Sequence, residues 1–162
     1  IQSKIEGMEL GADAYIEKPF SVEYLQACAS NLIQNREKLR RTFAQSPFVA
    51  ANTMALTKAD EDFIKRLNEV ILANLNNPEF SMDDIADSLN MSSNFYRKIK
   101  GVLDLSPNEY LRLERLKKAA QLLKEGEGRV TEICYMVGFN SPSYFAKCFQ
   151  KQFGVLPKDF VD

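Results

Sequence analysis

Apolar and polar residues alternate with a helical period along most of the chain. Apolar side chains at positions 63, 67, 71 and 75 share one face of a predicted helix, and Thr57 is suited to cap its start. Another helix is predicted from Ser21 onwards and should end before Pro47, because proline disfavours helical backbone in the preceding residue. The pattern predicts an all-α fold.

Residues 81–105 and 130–155 share one arrangement, that of a helix-turn-helix. In each unit, a short helix carries an apolar pair four residues apart, a residue suited to left-handed backbone follows, and a second helix carries another apolar pair. In order, these residues are Ile85 with Leu89, Asn90, and Phe95 with Ile99; then Ile133 with Val137, Gly138, and Phe145 with Phe149. The offset is 48 residues before the turn and 50 after it, so the second turn is predicted to be two residues longer.

The outward faces of the two second helices indicate a nucleic-acid partner. At about 100° per residue, the positions opposite the apolar pairs are Ser93, Arg97 and Lys100, flanked by Asn94 and Tyr96, and then Ser143, Lys147 and Gln150. Arg and Lys suit guanine edges, whereas Asn and Gln suit adenine. The candidates for phosphate contacts are Ser81, Ser92, Thr131, Ser141, Tyr144 and Lys151. A plain solvated face is the alternative for one helix alone, but recurrence in both units favours base recognition.

A connecting helix is predicted between the two units, over about 106–124. Ser106 is its N-cap, Pro107 its first residue, Glu109 completes a capping box, and Gly126 marks its end. The apolar positions expected to pack on both units are Tyr110, Leu113, Leu116, Ala120 and Leu123, and the basic residues expected outside are Arg112, Arg115, Lys117 and Lys118. A rigid connector can hold two recognition helices one DNA turn, about 34 Å, apart.

Charge is distributed unevenly although the net charge is only −1. Residues 57–91 carry three basic and eight acidic side chains, whereas residues 92–124 carry eight basic and three acidic ones. We expect the basic segment to face phosphates and the acidic segment to face away from them.

Together these features resemble the DNA-binding domain of AraC-type transcription regulators, over residues 57–162. The motifs that carry the resemblance are Ile85-Ala86, Met91-Ser92, Tyr96-Arg97-Lys98-Ile99-Lys100, Leu105-Ser106-Pro107-Asn108-Glu109-Tyr110-Leu111, Val137-Gly138-Phe139, Ser143-Tyr144-Phe145, Phe149, Gly154 and Pro157. The resemblance implies a two-lobed domain of about seven helices whose two recognition helices enter successive major-groove faces. Two features depart from the family pattern: Asp104 stands where glycine is usual, and the first recognition helix is one residue short at its N-terminus.

The string from Gly11 to Phe20 resembles the end of a response-regulator receiver domain. The resemblance implies a helix-strand-helix remnant over 1–43, with a strand at Ala14–Ile16, and it matches Lys18 to the lysine that contacts the phosphorylated aspartate, often before a cis proline. The aspartate itself would lie upstream. A lone strand lacks a sheet, so we expect this segment to be disordered, rearranged into helix or paired with a second chain. Residues 44–56 are predicted to form a linker.

Two further features of the first long helix and of the cysteines bear on assembly and location. Ala27, Leu32 and Leu39 could line a coiled-coil seam or pack against a receiver. Cys28, Cys134 and Cys148 lie at helical positions that we expect to be buried, and reduced thiols indicate a cytoplasmic protein. No apolar run reaches the roughly 20 residues of a membrane span, so no membrane contact is expected of this fragment.

The sequence offers little for catalysis. It contains no histidine, no glycine-rich phosphate loop and no nucleophile elbow, so we expect no catalytic residue, metal or cofactor. The prediction is a sequence-specific, DNA-binding output domain of a two-component phosphorelay system, from either a response regulator or a hybrid sensor kinase anchored in the inner membrane. The expected partners are double-stranded DNA, a second copy in the full-length protein and, as a further candidate, RNA polymerase. The alternative is a helical protein–protein interaction module, which would not need two cationic faces.

Overall fold

The computed structural model describes residues 15–91 and 93–160, which form eight α-helices and no strand. The helices are α1 (Val22–Gln45), α2 (Lys58–Asn74), α3 (Met82–Ser88), α4 (Phe95–Leu103), α5 (Pro107–Glu125), α6 (Val130–Met136), α7 (Pro142–Phe153) and α8 (Pro157–Phe160), with a 3₁₀ turn at Ala51–Met54. The all-α prediction is confirmed. The chain divides into two compact units, with the boundary between Arg41 and Thr42.

The N-terminal unit begins, in its described part, with residues 15–20, which form neither helix nor strand. Tyr15 and Ile16 therefore do not form the strand that the receiver resemblance implies, as expected of a strand that has no neighbouring strand among residues 15–91 and 93–160. Ala14, the remaining residue of that strand, lies outside the described residues, as do residues 1–13. The Lys18–Pro19 peptide bond is cis, as the receiver resemblance implies.

Helix α1 follows Ser21, whose hydroxyl accepts a hydrogen bond from the Tyr24 N–H at 3.0 Å. It ends at Gln45, before Pro47, as predicted. Ala27 and Leu32 are exposed and Leu39 is half-buried. Both interpretations of this face, a coiled-coil seam or packing against a receiver, require a further surface to cover it.

The first lobe is built from α2, α3 and α4. Helix α2 is capped by Thr57, whose hydroxyl accepts from the Asp60 N–H at 3.1 Å, and its predicted apolar face is fully buried. The apolar residues of α3 and α4 pack beneath it: Ile85, Phe95 and Ile99 have no exposed surface. Asn90 takes left-handed backbone between α3 and α4, with φ of 54°, which confirms the predicted turn.

The second lobe repeats the first with α6, α7 and α8. Ile133, Phe145 and Phe149 are completely buried, and Gly138 takes the turn with φ of 90°. Phe149 contacts the rings of Phe145 and Phe160 edge-on, with centroids 5.8 and 5.4 Å apart. An aromatic core of this kind holds a short three-helix lobe together.

Helix α5 joins the lobes and begins and ends as predicted. The Ser106 hydroxyl accepts from the Glu109 N–H at 3.2 Å, and the Glu109 carboxylate accepts from the Ser106 N–H at 2.8 Å. Gly126 closes the helix in left-handed backbone with φ of 69°. The five predicted apolar positions are buried, and so are Leu111 and Ala119.

Of the four basic residues expected on the outer face of α5, only Arg112 is exposed: Lys118 is half-buried, and the other two bind backbone carbonyls. Lys117 is buried, and its ammonium donates to the carbonyls of Phe43, Ser46 and Val49 at 2.6, 3.1 and 2.6 Å. Arg115 is half-buried and donates to two loop carbonyls. Both corrections have one cause: α5 is packed on more than one side, so its basic side chains meet backbone carbonyls of other elements instead of water.

The C-terminal end of α1 and the segment between α1 and α2 pack against both lobes. Phe43, Ala51 and Met54 are buried, and the 3₁₀ turn lies against α2 and α4. On the other side, the Gln152 side chain of α7 donates to the Ala44 carbonyl at 2.5 Å. The segment therefore contributes to the core of the second compact unit.

The three cysteines differ in how deeply they are buried. All three thiols are free; Cys134 is buried as expected, whereas Cys28 and Cys148 are only half-buried, each beside an exposed residue of its helix. None of the helices in the described part of the chain is long and apolar enough to cross a membrane.

Candidate nucleic-acid interface

The exposed face of α4 carries the cationic residues that the sequence predicted. Arg97 and Lys100 are exposed, while Phe95 and Ile99 on the opposite face are completely buried. The Lys100 ammonium lies 3.7 Å from a carboxylate oxygen of Asp104, a pair exposed enough to open on binding. The helix thus presents Arg97 and Lys100 on its exposed face, and Lys100 is held there only by a weak ion pair.

Tyr96 lies beside this face and is fixed in place. Its ring is 47% exposed, and its hydroxyl donates to a carboxylate oxygen of Asp83 on α3 at 2.9 Å. The hydrogen bond to Asp83 raises the pKa of Tyr96. Tyr96 therefore links the two helices of the first unit and offers mainly the face of its ring to a ligand.

Ser93 and Asn94 lie outside the helix that was expected to present them. Helix α4 begins at Phe95, whereas α7 begins three residues before the equivalent Phe145. Asn94 makes no side-chain capping bond, whereas Ser141 caps α7 and Pro142 occupies its first position. Both Ser93 and Asn94 are exposed in the turn before α4, so the first recognition helix is shorter than predicted. The second turn, residues 137–141, is accordingly one residue shorter than the first, residues 89–94, and not two residues longer as predicted, because the extra residues belong to the start of α7.

Helix α7 presents the second predicted face. Ser143, Lys147 and Gln150 are all exposed, opposite the buried Phe145 and Phe149. The structure therefore places all three on one helix surface, as predicted. This surface is the more regular of the two because its helix has an additional N-terminal turn.

The candidates for phosphate contacts divide into available and engaged groups. Thr131, Tyr144 and Lys151 are exposed. The Ser141 hydroxyl accepts the capping bond from the Tyr144 N–H at 3.3 Å. Ser81 is engaged further, since its hydroxyl donates to Asp84 and accepts from the Asp84 N–H, at 2.9 and 3.3 Å.

Two candidates need separate mention. Ser92 lies outside the described residues. Lys18, the residue matched to a receiver lysine, is exposed in the N-terminal unit.

Internal contacts use part of the basic segment. Lys98 donates to a carboxylate oxygen of Asp60 on α2 at 3.0 Å, and Arg115 and Lys117 bind carbonyls. Asp60, Asn94, Arg97, Lys98, Gly101 and Val102 line a shallow groove beside α4. Lys98 therefore positions α4 on α2, and the cations left for a ligand are those on the outward faces.

A second concavity lies between residues 47–51, α2 and α5, with a volume of about 640 Å³. It contains Glu114, whose pKa is raised by burial, and the engaged Lys117. Within residues 15–91 and 93–160, no three His, Cys, Asp or Glu side chains are grouped as metal ligands. This concavity offers no donor set for a metal ion.

The sequence did not identify Arg115 and Lys117 as residues that organise the domain. Their acceptors lie 23 to 74 positions away along the chain, so no local pattern could indicate them. The only available signal was that both lie one residue from a predicted apolar position of α5.

Comparison with known proteins identifies the C-terminal half of the chain. Residues 85–162 match the family described as a helix-turn-helix domain. Histidine kinase P4 of Formosa agariphila is 35% identical over 158 residues, which cover 97% of this chain and 12% of the kinase. The transcriptional activator RhaS of Escherichia coli is 35% identical over 82 residues, 50% of this chain and 30% of the activator.

A solved structure agrees with these matches. The C-terminal domain of AraT, a response regulator from Geobacillus stearothermophilus, superposes with a TM-score of 0.54 and 31% identity, covering 60% of this chain and 81% of that one. The chain thus spans a small part of the kinase and less than a third of the activator.

Proposed function

We propose that residues 85–162, which match a helix-turn-helix domain family, form an AraC-type DNA-binding domain of a transcription regulator, and that α4 and α7 lie in successive major grooves. Arg97 and Lys100 on α4, and Ser143, Lys147 and Gln150 on α7, are the base-contacting residues. Ser93, Asn94 and Tyr96 contact DNA from the edge of α4, and Thr131, Tyr144 and Lys151 contact phosphates. Half or more of such contacts go to phosphates and sugars, and only base contacts specify sequence.

One observation carries this proposal: the same exposed cationic face recurs on two helices that each follow a left-handed turn. A helix that only packs against protein has no need for this recurrence. A protein–protein module would explain the helices but not the pair of cationic faces. Because Ser81 is already bonded to Asp84, its hydroxyl is the weakest of the phosphate candidates.

The N-terminal residues support a wider proposal about the parent protein. We infer that residues 1–43 are the end of a receiver domain, in which Lys18 is the lysine that contacts the phosphorylated aspartate. Residues 44–56 connect this domain to the DNA-binding domain at 57–162. Phosphorylation of the receiver domain then controls dimerisation. The alignment with a histidine kinase extends over nearly all of this chain, which favours a hybrid kinase over a free response regulator. Paired DNA-binding domains would then occupy adjacent sites, where RNA polymerase is a candidate partner.

The experiment that tests DNA recognition is selection of the chain against a random duplex library at about 50 and 200 mM salt. The Arg97→Ala/Lys147→Ala variant is the control, because both changes lie on exposed helix faces and leave the core intact. We expect two short boxes about one helical turn apart, about 34 Å, that the variant does not select. Absence of enrichment at both salt concentrations would contradict the proposal and favour the protein-binding alternative.

Arg97→Ala alone should weaken binding to the selected site by roughly 1–3 kcal/mol and relax the preference at one base pair, as loss of a bidentate guanine contact does. The measurement is titration of the site and of its single-base variants. Lys118→Ala on α5 is the matched control, since at that position it can reach at most phosphate. It should weaken all sequences equally, and an unchanged base preference in Arg97→Ala would show that Arg97 contacts no base.

A further inference from the structure

The two lobes touch directly at a point away from the recognition helices. Gly138, in the turn of the second lobe, lies against the backbone of Leu75 at the end of α2 in the first lobe. A Cβ atom added at Gly138 would be 2.3 Å from the Leu75 carbonyl oxygen. No side chain fits there, so the contact between these two backbones is close.

Arg115 bridges the same two backbones from α5. One guanidinium nitrogen donates to the carbonyl of Asn77, in the loop after α2, at 3.0 Å, and the other donates to the carbonyl of Gly138 at 3.3 Å. A planar guanidinium can bond two acceptors in fixed directions, whereas a lysine ammonium is a single point. The carbonyls belong to different lobes, so these two bonds fix one lobe against the other.

The first lobe shows that this contact is more than a requirement of the turn. Asn90 occupies the equivalent turn in the same left-handed conformation, is exposed and carries a side chain. Left-handed backbone with φ of 54° therefore carries a side chain at the first turn. At the second turn φ is 90°, and an added Cβ atom would lie 2.3 Å from the Leu75 carbonyl oxygen and 3.0 Å from the Arg115 guanidinium carbon. The bridge also leaves the Nε of Arg115 buried without a hydrogen-bond partner, a cost that the surrounding structure must offset.

We propose that Leu75, Asn77, Arg115 and Gly138 form an interlobe lock that sets the distance and angle between the two recognition helices, and that Arg115 thereby selects the separation of the two DNA boxes. The inference rests on the proposed function. Arg115 is a positioning residue, because it acts through the lobes and contacts no base.

DNA geometry makes this separation measurable. Each added base pair moves the second box by about 3.4 Å and turns it by about 35°, because one helical turn takes about 10 base pairs. A rigid pair of lobes cannot follow that displacement, whereas lobes that swivel at the ends of α5 can. Loss of the lock should therefore change the preference for spacing while the base preference within each box stays the same.

The test compares the whole chain with Arg115→Met on duplexes whose two boxes are separated by the selected spacing, and by one or two base pairs more or less. The unaltered chain should bind the altered spacings at least about tenfold more weakly, the size of a misplaced base contact. In Arg115→Met this preference should fall below about threefold. Arg112→Met removes the same charge from an exposed position of α5, and should weaken every spacing equally.

The outcomes separate this inference from the function on which it rests. Spacing preference retained in Arg115→Met, with affinity uniformly lower, would overturn the lock and leave DNA recognition intact. Failure of the unaltered chain to bind any duplex would overturn both. A reduced preference in Arg112→Met as well would assign the effect to charge and also overturn the lock.

A measurement without DNA keeps the inference testable if Arg115→Met binds no duplex. Spin labels at Asp87→Cys on α3 and Tyr135→Cys on α6 report the distance between lobes, with Cys28 and Cys148 replaced by alanine. The distance distribution should broaden in Arg115→Met and in the milder Arg115→Lys, while helical content measured by circular dichroism stays unchanged. Equally narrow distributions in all three proteins would overturn the lock.

Discussion

Lys117 shows how a single buried charge can organise a domain. Its ammonium has three N–H donors, and they meet one carbonyl in the last turn of α1 and two in the segment that follows it. Burial nevertheless lowers the pKa of Lys117 to about 8, with a smaller opposing effect from Glu114. The side chain is thus charged at neutral pH, and it donates to the carbonyls of Phe43 and Val49 as well as to that of Ser46, which also accepts from the Val49 N–H.

Lys117→Met should destabilise the chain by about 2 kcal/mol at neutral pH. The carbonyls of Phe43 and Val49 lose a hydrogen-bond donor, and this loss outweighs the gain from no longer burying a charge. Lys118→Met, at the less buried neighbouring position, should change the unfolding free energy little. Urea titration monitored by circular dichroism measures both. Equal effects at the two positions would contradict the role of the three carbonyl bonds.

The same lysine gives a pH dependence whose sign is fixed. Between its folded pKa of about 8 and its ordinary value of 10.5, the unfolded chain binds more protons than the folded chain. The unfolding free energy of the unaltered protein, relative to that of Lys117→Met, should therefore rise as the pH increases through this window. A flat difference between pH 8 and 10.5 would show that Lys117 titrates alike in both states.

At the scale of elements, helix ends account for the precision of the fold. Ser106 and Glu109 close the start of α5 reciprocally, and Ser81 and Asp84 do the same for α3. Hydrogen bonds from the Ser106 backbone and hydroxyl lower the pKa of Glu109. The two capping boxes fix where the first recognition unit begins and where the connecting helix α5 begins after it.

Replacing Ser106 by alanine should cost about 1 kcal/mol of stability, the usual value of an N-cap.

The pKa of Glu109 is lower in the folded chain than in the unfolded chain. The contribution of Glu109 to the unfolding free energy is therefore complete at pH values above its ordinary pKa, and it is lost as the pH falls through its pKa in the folded chain. Glu109→Gln should therefore lose less stability than the unaltered chain between about pH 6 and about pH 3. Glu127→Gln, at an exposed carboxylate outside the helices, is the control and should keep the full loss on acidification.

Local rules predicted the parts of the fold that are determined locally. Thr57, Ser106 and Gly126 mark helix ends because capping and left-handed backbone depend on neighbouring residues alone. The start of α4 was missed because it depends on how six residues span the gap from α3. Arg115 and Lys117 were placed outside because their acceptors belong to remote segments. The absence of a strand at Tyr15 and Ile16 was expected, because a strand without a neighbour leaves its backbone unpaired.

At the scale of the whole molecule, the segment before α2 is part of the DNA-binding unit. It buries Phe43, Ala51 and Met54, supplies the acceptors of Lys117, and accepts a hydrogen bond from Gln152 of α7. The ring of Phe48 also contacts Phe160 of the last helix, with centroids 6.1 Å apart. The segment thus connects α7 and α8 of the second lobe with the 3₁₀ turn that packs on the first.

A fragment that starts at Thr57 should accordingly be less stable than one that starts at Thr42, by about 3–5 kcal/mol, since it loses two large buried side chains and the partners of Lys117. Thermal unfolding of the two fragments measures the difference. The fragment from Thr42 retains every one of these contacts and serves as the reference. Equal unfolding midpoints would show that the segment only covers the surface.

The contrast between Asn90 and Gly138 has a consequence for how this chain can evolve. Every missense change at Gly138 adds a Cβ atom where the Leu75 carbonyl leaves no room, so substitutions of this residue should not be tolerated. The first turn already carries a larger residue and faces solvent. Heritable variation should therefore accumulate at the first of these two turns and be rare at the second.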